Sequence, residues 1–162
     1  NVNINGKNSN VLINISSISL NENNYDVSIH HNNKNCTSNT NIHGLTIDNN
    51  SIYIKNNGYI PNGSEKSVLH QDNKIIAMND NKSKIEPNLF IDEYDVEASH
   101  GAYIGKFDEE ELFYLNSRGL DENKCYELLI NGFLLNEFNI TDDVKDDLKK
   151  IIKKYWRWKN EL

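Results

Sequence analysis

The 162 residues suffice for one domain, or for one domain with an appendage, and carry a net charge of −7. Residues 1–90 hold seven acidic and seven basic side chains, whereas residues 91–162 hold seventeen and ten. Nucleic acids require a basic surface, so this neutral first part and acidic second part argue against them as partners. No apolar run approaches the ~20 residues of a membrane span, which argues against a membrane protein. Two distant cysteines predict free thiols and a reducing compartment.

The first ninety residues predict short strands separated by asparagine-rich turns. They contain 23 of the 29 asparagines, interleaved with Ile, Val and Tyr, and asparagine suits turns because it tolerates the left-handed backbone conformation. The strands are predicted at Val11–Ile15, Tyr25–His30, Ser51–Lys55 and Lys74–Met78. Since no repeat of fixed length is visible, the pattern leaves a sandwich, a barrel and a solenoid open. The chain lacks an initiator methionine, and we expect it to be part of a longer protein.

A loose group of potential metal ligands lies early in the chain, at His30, His31, Cys36 and His43. Its spacing matches no common zinc pattern, and the residues between the histidines are typical of a turn. We therefore expect a turn here instead of a metal site.

From Asp108 the pattern becomes helical. Asp108 is a favourable N-cap for a short first helix, and Gly119 marks its end. Asp121 begins a second helix that is predicted to continue to about Phe138, and Thr141 begins a third. The composition thus predicts a β-rich part followed by a helical tail.

Residues 95–120 join the last strand-like run to the first helix, with His100 between Ser99 and Gly101. These small neighbours leave room for another backbone or a ligand to approach. On chemistry alone, a histidine that is satisfied by a local hydrogen bond is an equal alternative to a functional one.

The block Ser-His-Gly-Ala, followed by Leu-Phe-Tyr-Leu-Asn-Ser-Arg-Gly, resembles the C-terminal core of the SufB/SufD family of iron–sulfur cluster assembly scaffold proteins, and best its SufD branch. The resemblance implies a right-handed parallel β-helix, a solenoid, over residues 1–107. A small C-terminal domain of three helices would follow over residues 108–162. It further implies a non-catalytic scaffold subunit of a SufBCD-type complex, which pairs with a SufB-like scaffold and docks a SufC-like ATPase.

The same resemblance assigns roles to two groups of residues. His100, with Ser99 and Gly101, would lie at the scaffold interface, and His100 would be a metal ligand there because imidazole suits iron. The ATPase would dock on the helix that carries Phe113, Tyr114, Ser117 and Arg118. At least one of the two aromatic residues is expected to pack in the core.

Ala98 stands where many SufD-like sequences have a cysteine, which would be the stronger cluster ligand. We therefore expect no tightly bound cofactor in this chain alone, and only a transient iron–sulfur cluster at the interface of the complex. An exposed terminal coil also makes a homodimer of the isolated chain an expectation.

The expected location is the cytoplasm of a low-GC bacterium or a plastid-type, apicoplast-like organelle of an AT-rich eukaryote, and the sequence leaves this choice open. A second hypothesis is a β-solenoid binding or adhesion module of a secreted or surface protein, which the Asn-rich strands and sequons such as Asn35-Cys36-Thr37 favour.

Overall fold

A computed structural model describes residues 1–79 and 82–157, with side chains as far as Tyr155. The chain divides into two compact units, Asn1–Gly105 and Lys106–Leu162. None of the helices in the described ranges is long and apolar enough to cross a membrane.

The first unit is built from strands that alternate between two parallel sheets. The strands are β1 Val2–Ile4, β2 Asn10–Ser19, β3 Glu22–His31, β4 Thr37–Thr46, β5 Ser51–Ile60, β6 Val68–Ala77, β7 Lys84–Ile91 and β8 Glu97–Gly105. The first sheet has the order β1-β3-β5-β7 and the second has the order β2-β4-β6-β8. Because consecutive strands lie in opposite sheets and each pairs with the strand one turn later, the chain winds as a parallel β-solenoid. The predicted solenoid with a helical tail is confirmed.

The coils differ in length, which explains why the sequence shows no fixed repeat. Asn10 pairs with Thr37, Thr37 with Val68, and Val68 with Glu97, so successive coils take 27, 31 and 29 residues. The extra residues lie in the turns, where insertions are tolerated, while the paired strands keep their register.

One corner of the solenoid repeats the same unusual backbone conformation in successive coils. Asn8, Asn35 and Lys66 have φ angles of 60°, 53° and 58°, in the left-handed region. Each donates its backbone N–H to the corresponding corner of the next coil: Asn8 to Lys34 O, Asn35 to Glu65 O and Lys66 to Asp95 O. Two of the three positions hold asparagine, as the predicted role of this residue in turns requires.

The core between the two sheets combines branched aliphatic side chains with amides. One apolar cluster is formed by Ile42, Ile52, Ile54 and Ile75, and another by Ile4, Ile29 and Cys36. Asn56 and Asn73 are fully buried, and Asn56 Nδ2 donates to Asn73 Oδ1 at 2.9 Å. Asparagines therefore stabilise the inside of the solenoid as well as its turns, which the sequence did not indicate.

The predicted strands correspond to β2, β3, β5 and β6, although each observed strand is longer and Met78 lies one residue beyond the end of β6. Strands β1, β4 and β7 were missed. The expected turn around the histidine group is correct only for the residues between β3 and β4, and His43 lies inside β4. Strand β4 was missed because small polar side chains occupy several of its inward positions, including the buried Ser38 and Thr40.

The second unit contains α1 Glu109–Ser117, α2 Glu122–Leu135 and α3 Asp142–Arg157. Asp108 and Asp121 are the N-caps of the first two helices, as predicted, and their carboxylates accept from Glu110 N and Lys124 N.

Gly119 ends α1 in a Schellman arrangement. Its φ is 88°, its N–H donates to Asn116 O at 2.9 Å, and the N–H of Leu120 reaches Leu115 O at 3.4 Å. The second helix ends at Leu135, so the predicted end at about Phe138 was wrong. Phe138 N–H instead bonds Leu135 O at 3.3 Å in the turn that follows the helix.

Candidate functional site: the last coil of the solenoid

His100 lies on β8, which is an edge strand of the second sheet within the described residues. The register pairs Gln71 of β6 with His100. Gln71 is buried inside the solenoid, as is Thr40, its partner one coil earlier. His100 therefore occupies an inward-facing position, and it is exposed because no further coil covers it in the described structure.

Apolar side chains surround His100 on this uncovered end of the solenoid. The inward positions of β7 and β8, read from their register with buried residues of the preceding coil, hold Ile85, Pro87, Leu89, Ile91, Ala98, Ala102 and Ile104. Their equivalents one coil earlier are buried, whereas these seven residues are all at least partly exposed. The end of the solenoid therefore exposes side chains at positions that form the core in the preceding coil, with His100 among apolar residues.

The layer beneath His100 is polar and ordered. Asn73 Nδ2 donates to the carbonyl of Gly101 at 3.0 Å, which ties β8 to the preceding coil through a side chain. Gln71 Nε2 lies 3.3 Å from Asn56 O and 3.4 Å from Asn88 O. These contacts fix the β8 backbone at Gly101, next to His100, and the β7 backbone at Asn88.

Ser99 faces the outside of the sheet, unlike His100. Its hydroxyl lies 2.7 Å from His70 Nδ1, and His70 Nε2 lies 3.6 Å from a carboxylate oxygen of Glu97. A Cβ at Gly101 would meet Asp72 Oδ1 at 3.5 Å, which is an ordinary contact, so the solenoid itself does not require glycine there.

Acidic residues cluster where β7 joins β8. Asp92, Glu93, Asp95 and Glu97 lie within six residues of one another, with Tyr94 among them fully exposed. The backbone N–H groups of Gly63 and Tyr94 hold the pKa of the Glu93 carboxyl below its ordinary value. The last coil therefore presents a negative border beside its apolar face.

In the helical unit, α1 contains no buried residue. Phe113 is 76% exposed and Tyr114 is 55% exposed, so the expectation that one of them packs in the core was wrong. The short helix rests on Leu112 and Leu115, which leaves the aromatic side of the helix in solvent.

The two remaining residues of this motif support the end of α1. Ser117 Oγ donates to Tyr114 O at 2.7 Å, and the Arg118 guanidinium lies 5.1 Å from the centre of the Tyr114 ring. An open cleft beside Tyr114 is lined by Asp108, Glu110, Glu111, Tyr114, Leu115 and Leu129.

The early group of histidines and Cys36 does not form a metal site. His31 Nε2 lies 2.7 Å from Ser38 Oγ, and Cys36 Sγ donates to Gly6 O at 3.2 Å. Across the described ranges, no group of three His, Cys, Asp or Glu side chains is placed to hold a metal ion.

Sequence reasoning missed the exposed apolar residues of the last coil. Phe90, Ile91, Tyr103 and Ile104 are large and exposed, and no comparable residue is exposed on β3 to β6. The alternation in β7 is broken by Pro87 and Asn88, which concealed the strand and the face to which Phe90 belongs.

The architecture is that of a β-solenoid scaffold whose last coil is open and whose C-terminal unit is helical. The family model described as "SUF system FeS cluster assembly, SufBD core domain" matches residues 1–133. The chain belongs to the SufB/SufD family of iron–sulfur cluster assembly proteins.

Individual relatives agree with this assignment. The chain is 34% identical over 116 residues to the iron–sulfur cluster assembly protein SufD of Bacillus subtilis, covering 69% of this chain and 26% of that protein. An iron–sulfur cluster assembly SufBD family protein of Pyrococcus horikoshii is 39% identical over 101 residues, with 59% of this chain and 22% of the relative covered.

A chloroplastic protein of Arabidopsis thaliana, ABCI7, is 35% identical over 74 residues, which cover 42% of this chain and 16% of the relative. The chain thus spans about a quarter of its relatives' length or less. These matches do not favour the alternative of a secreted binding or adhesion module.

Proposed function

We propose that the protein containing this chain is a non-catalytic, SufD-like scaffold subunit of a complex that assembles iron–sulfur clusters. It pairs with a SufB-like scaffold through the open end of its solenoid and docks a SufC-like ATPase through its helices. Membership of the SufB/SufD family supports a role in iron–sulfur cluster assembly. The uncovered last coil is the observation that carries the proposal of a partner scaffold.

The open end has the composition of an interface that a stable partner covers. Exposed apolar groups on β7 and β8 are contiguous with the core, and their burial would contribute about 25 cal/mol per Å² of apolar surface. The two edge strands also present unpaired backbone groups to a neighbouring strand. A second solenoid of similar cross-section satisfies both requirements.

His100 would contribute one ligand to iron and sulfide, which are the substrates of the assembly. A neutral imidazole in an apolar, covered site is a suitable ligand for iron. The other inward positions of β8 hold Ala98, Ala102 and Ile104, so further ligands, including the thiolates, would come from the partner. The cluster would be transient, because one imidazole does not retain it.

The aromatic side of α1 would bind the ATPase. Phe113 and Tyr114 are exposed aromatic side chains next to an acidic cleft, and aromatic anchors of this kind are enriched among residues that dominate binding. Movement of the ATPase dimer would be transmitted through the helices and open or close the scaffold interface at His100.

The proposed compartments are the bacterial cytoplasm and a plastid-type organelle. The similarity to a bacterial SufD supports the first option, and the similarity to a chloroplastic protein supports the second.

Co-expression of the full-length protein with the SufB-like and SufC-like proteins of the same genome tests this proposal. All three are expected to co-purify, and Phe113→Ser is expected to lose the ATPase while keeping the scaffold. Leu12→Ser, which removes an exposed side chain from β2, serves as the control and should keep both partners. Purification of the wild-type protein without either partner would refute the proposal.

A further inference from the structure

Three rings are stacked in a column on the outer face of the first sheet. His30, Tyr59 and Phe90 lie on β3, β5 and β7, and the register pairs each with the next. The His30 and Tyr59 ring centres are 4.2 Å apart with planes at 4°, and those of Tyr59 and Phe90 are 4.7 Å apart with planes at 10°. The column therefore follows the axis of the solenoid, one ring per coil.

The column ends at Phe90 on the edge strand β7. Phe90 is 50% exposed, whereas Tyr59 is enclosed between two rings. In the part of the chain that the structure describes, no further ring stacks on the outer face of Phe90. The ring spacings of 4.2 Å and 4.7 Å are close to the distance of ≈ 4.7–4.9 Å between neighbouring strands. A strand added beside β7 would thus place a side chain directly on the Phe90 ring.

We propose that Phe90 is the stacking anchor of the scaffold interface. It accepts a planar side chain, from an aromatic residue, histidine or arginine, on the strand that the partner scaffold lays along β7. This inference rests on the proposed function and adds to it the chemistry by which the partner is chosen. Aromatic and cationic planar groups gain from parallel, offset stacking on a ring beyond the area they bury.

Charge favours a different protein over a second copy of this chain as the occupant. The connection beside Phe90 carries Asp92, Glu93, Asp95 and Glu97, and the chain has a net charge of −7. A two-fold pairing of identical chains would bring these carboxylates to one interface, where like charges repel. The partner strand is therefore expected to carry basic residues next to its planar side chain.

Affinity measurements with the full-length protein and the full-length SufB-like scaffold of the same genome test the inference. Phe90→Tyr keeps the ring and should bind within about twofold of wild type, whereas Phe90→Leu keeps an apolar side chain and should bind roughly threefold to tenfold more weakly. Leu12→Ala, at an exposed position on β2 and away from β7, is the matched control and should bind like wild type.

A fluorine label at position 90 tests stacking independently of a loss of stability. With 4-fluorophenylalanine at this position, addition of the scaffold is expected to shift the ¹⁹F resonance, and the shift is upfield where the stacked group is an aromatic ring. The thermal midpoints of all variants are measured alongside.

The possible results separate the two proposals. If wild type does not bind the scaffold, the proposed function fails and the inference fails with it. If wild type binds, but Phe90→Leu binds equally well and the fluorine signal does not move, the inference alone is overturned. The inference is also overturned if the ¹⁹F shift is caused by self-association of the labelled protein and persists when the scaffold is added.

Discussion

Gln71 and His100 occupy the same position on neighbouring strands, one coil apart, but Gln71 is buried and His100 is exposed. His100 therefore lies at a position that belongs to the core in the preceding coil but is uncovered in the last coil. A residue in this place contributes little to the stability of the isolated chain and is available to whatever covers it.

His100→Ala is expected to leave the thermal midpoint of the isolated protein unchanged, since the side chain is exposed. If the imidazole is a ligand, cluster formation by the assembled complex should fall at least about tenfold. Iron and sulfide content and visible absorbance of the reconstituted complex measure this effect. His70→Ala, at an outward-facing histidine one coil earlier, is the control, and an equal loss in both variants would contradict a specific role for His100.

Asn73→Ala should destabilise the solenoid by roughly 2–4 kcal/mol, because it removes the partners of one buried and one partly buried polar group. The carbonyl of Gly101 loses its donor and Asn56 Nδ2 loses its acceptor. Urea unfolding measures the change, and hydrogen exchange should show lost protection in β8. Asn41→Ala, at a half-buried amide that bonds Asn14, should cost less than half as much. Equal losses would show that the buried position is not special.

Lys66→Asn is expected to stabilise the chain by about 0.5–1 kcal/mol. Lys66 is exposed and has a φ of 58°, in a conformation that asparagine adopts more readily than lysine. The N–H bond to Asp95 O is a backbone interaction, so the substitution preserves it. Thermal and urea unfolding are the measurements, and Asn35→Lys, the reverse change at the preceding corner, should destabilise by a similar amount. A destabilising Lys66→Asn would contradict the argument from backbone conformation.

His31 should make the solenoid less stable as the pH falls through about 6.5. Burial lowers the pKa of His31 below its ordinary value of 6.5, because charging the ring inside the core is unfavourable. The unfolded state then binds the proton more readily, so this contribution is complete above pH 6.5 and decreases on acidification, by at most about 1.4 kcal/mol per pH unit.

Urea unfolding of wild type and His31→Gln between pH 7.5 and 5.5 isolates this contribution. The variant should show a shallower decline, whatever its stability at pH 7.5. The carboxyl groups with lowered pKa, such as those of Glu65 and Glu93, act below 4.5 and lie outside this range. Parallel declines of the two proteins would exclude His31 as the cause.

The helical tail could be predicted from the sequence because its signals are local. Asp108 and Asp121 accept from the first turns of their helices, and Gly119 adopts the left-handed conformation that ends α1. These roles depend on residues within a few positions of one another. The exposure of Phe113 could not be predicted from such local signals, because the side that a short helix buries depends on the elements packed against it.

The solenoid was predicted by resemblance, and its strands were only partly visible in the pattern. In β4 the inward row includes Ser38 and Thr40, which are buried although they are polar. Ser38 has its polar partner on the preceding strand, where His31 Nε2 lies 2.7 Å from its hydroxyl. The position of His100 as an uncovered core residue likewise depends on pairing with Gln71, almost thirty residues earlier, which no local pattern reveals.

The last coil has fewer neighbouring strands than the coils before it, and this difference affects the order of steps in assembly. In a linear array each coil is stabilised by its neighbours, and β7 and β8 have a neighbour on one side only within the described solenoid. The last coil should therefore open at lower free energy than the coils behind it, and a scaffold that binds it supplies the missing neighbour. In the proposed complex, binding of the partner scaffold would therefore also stabilise the strand that holds His100.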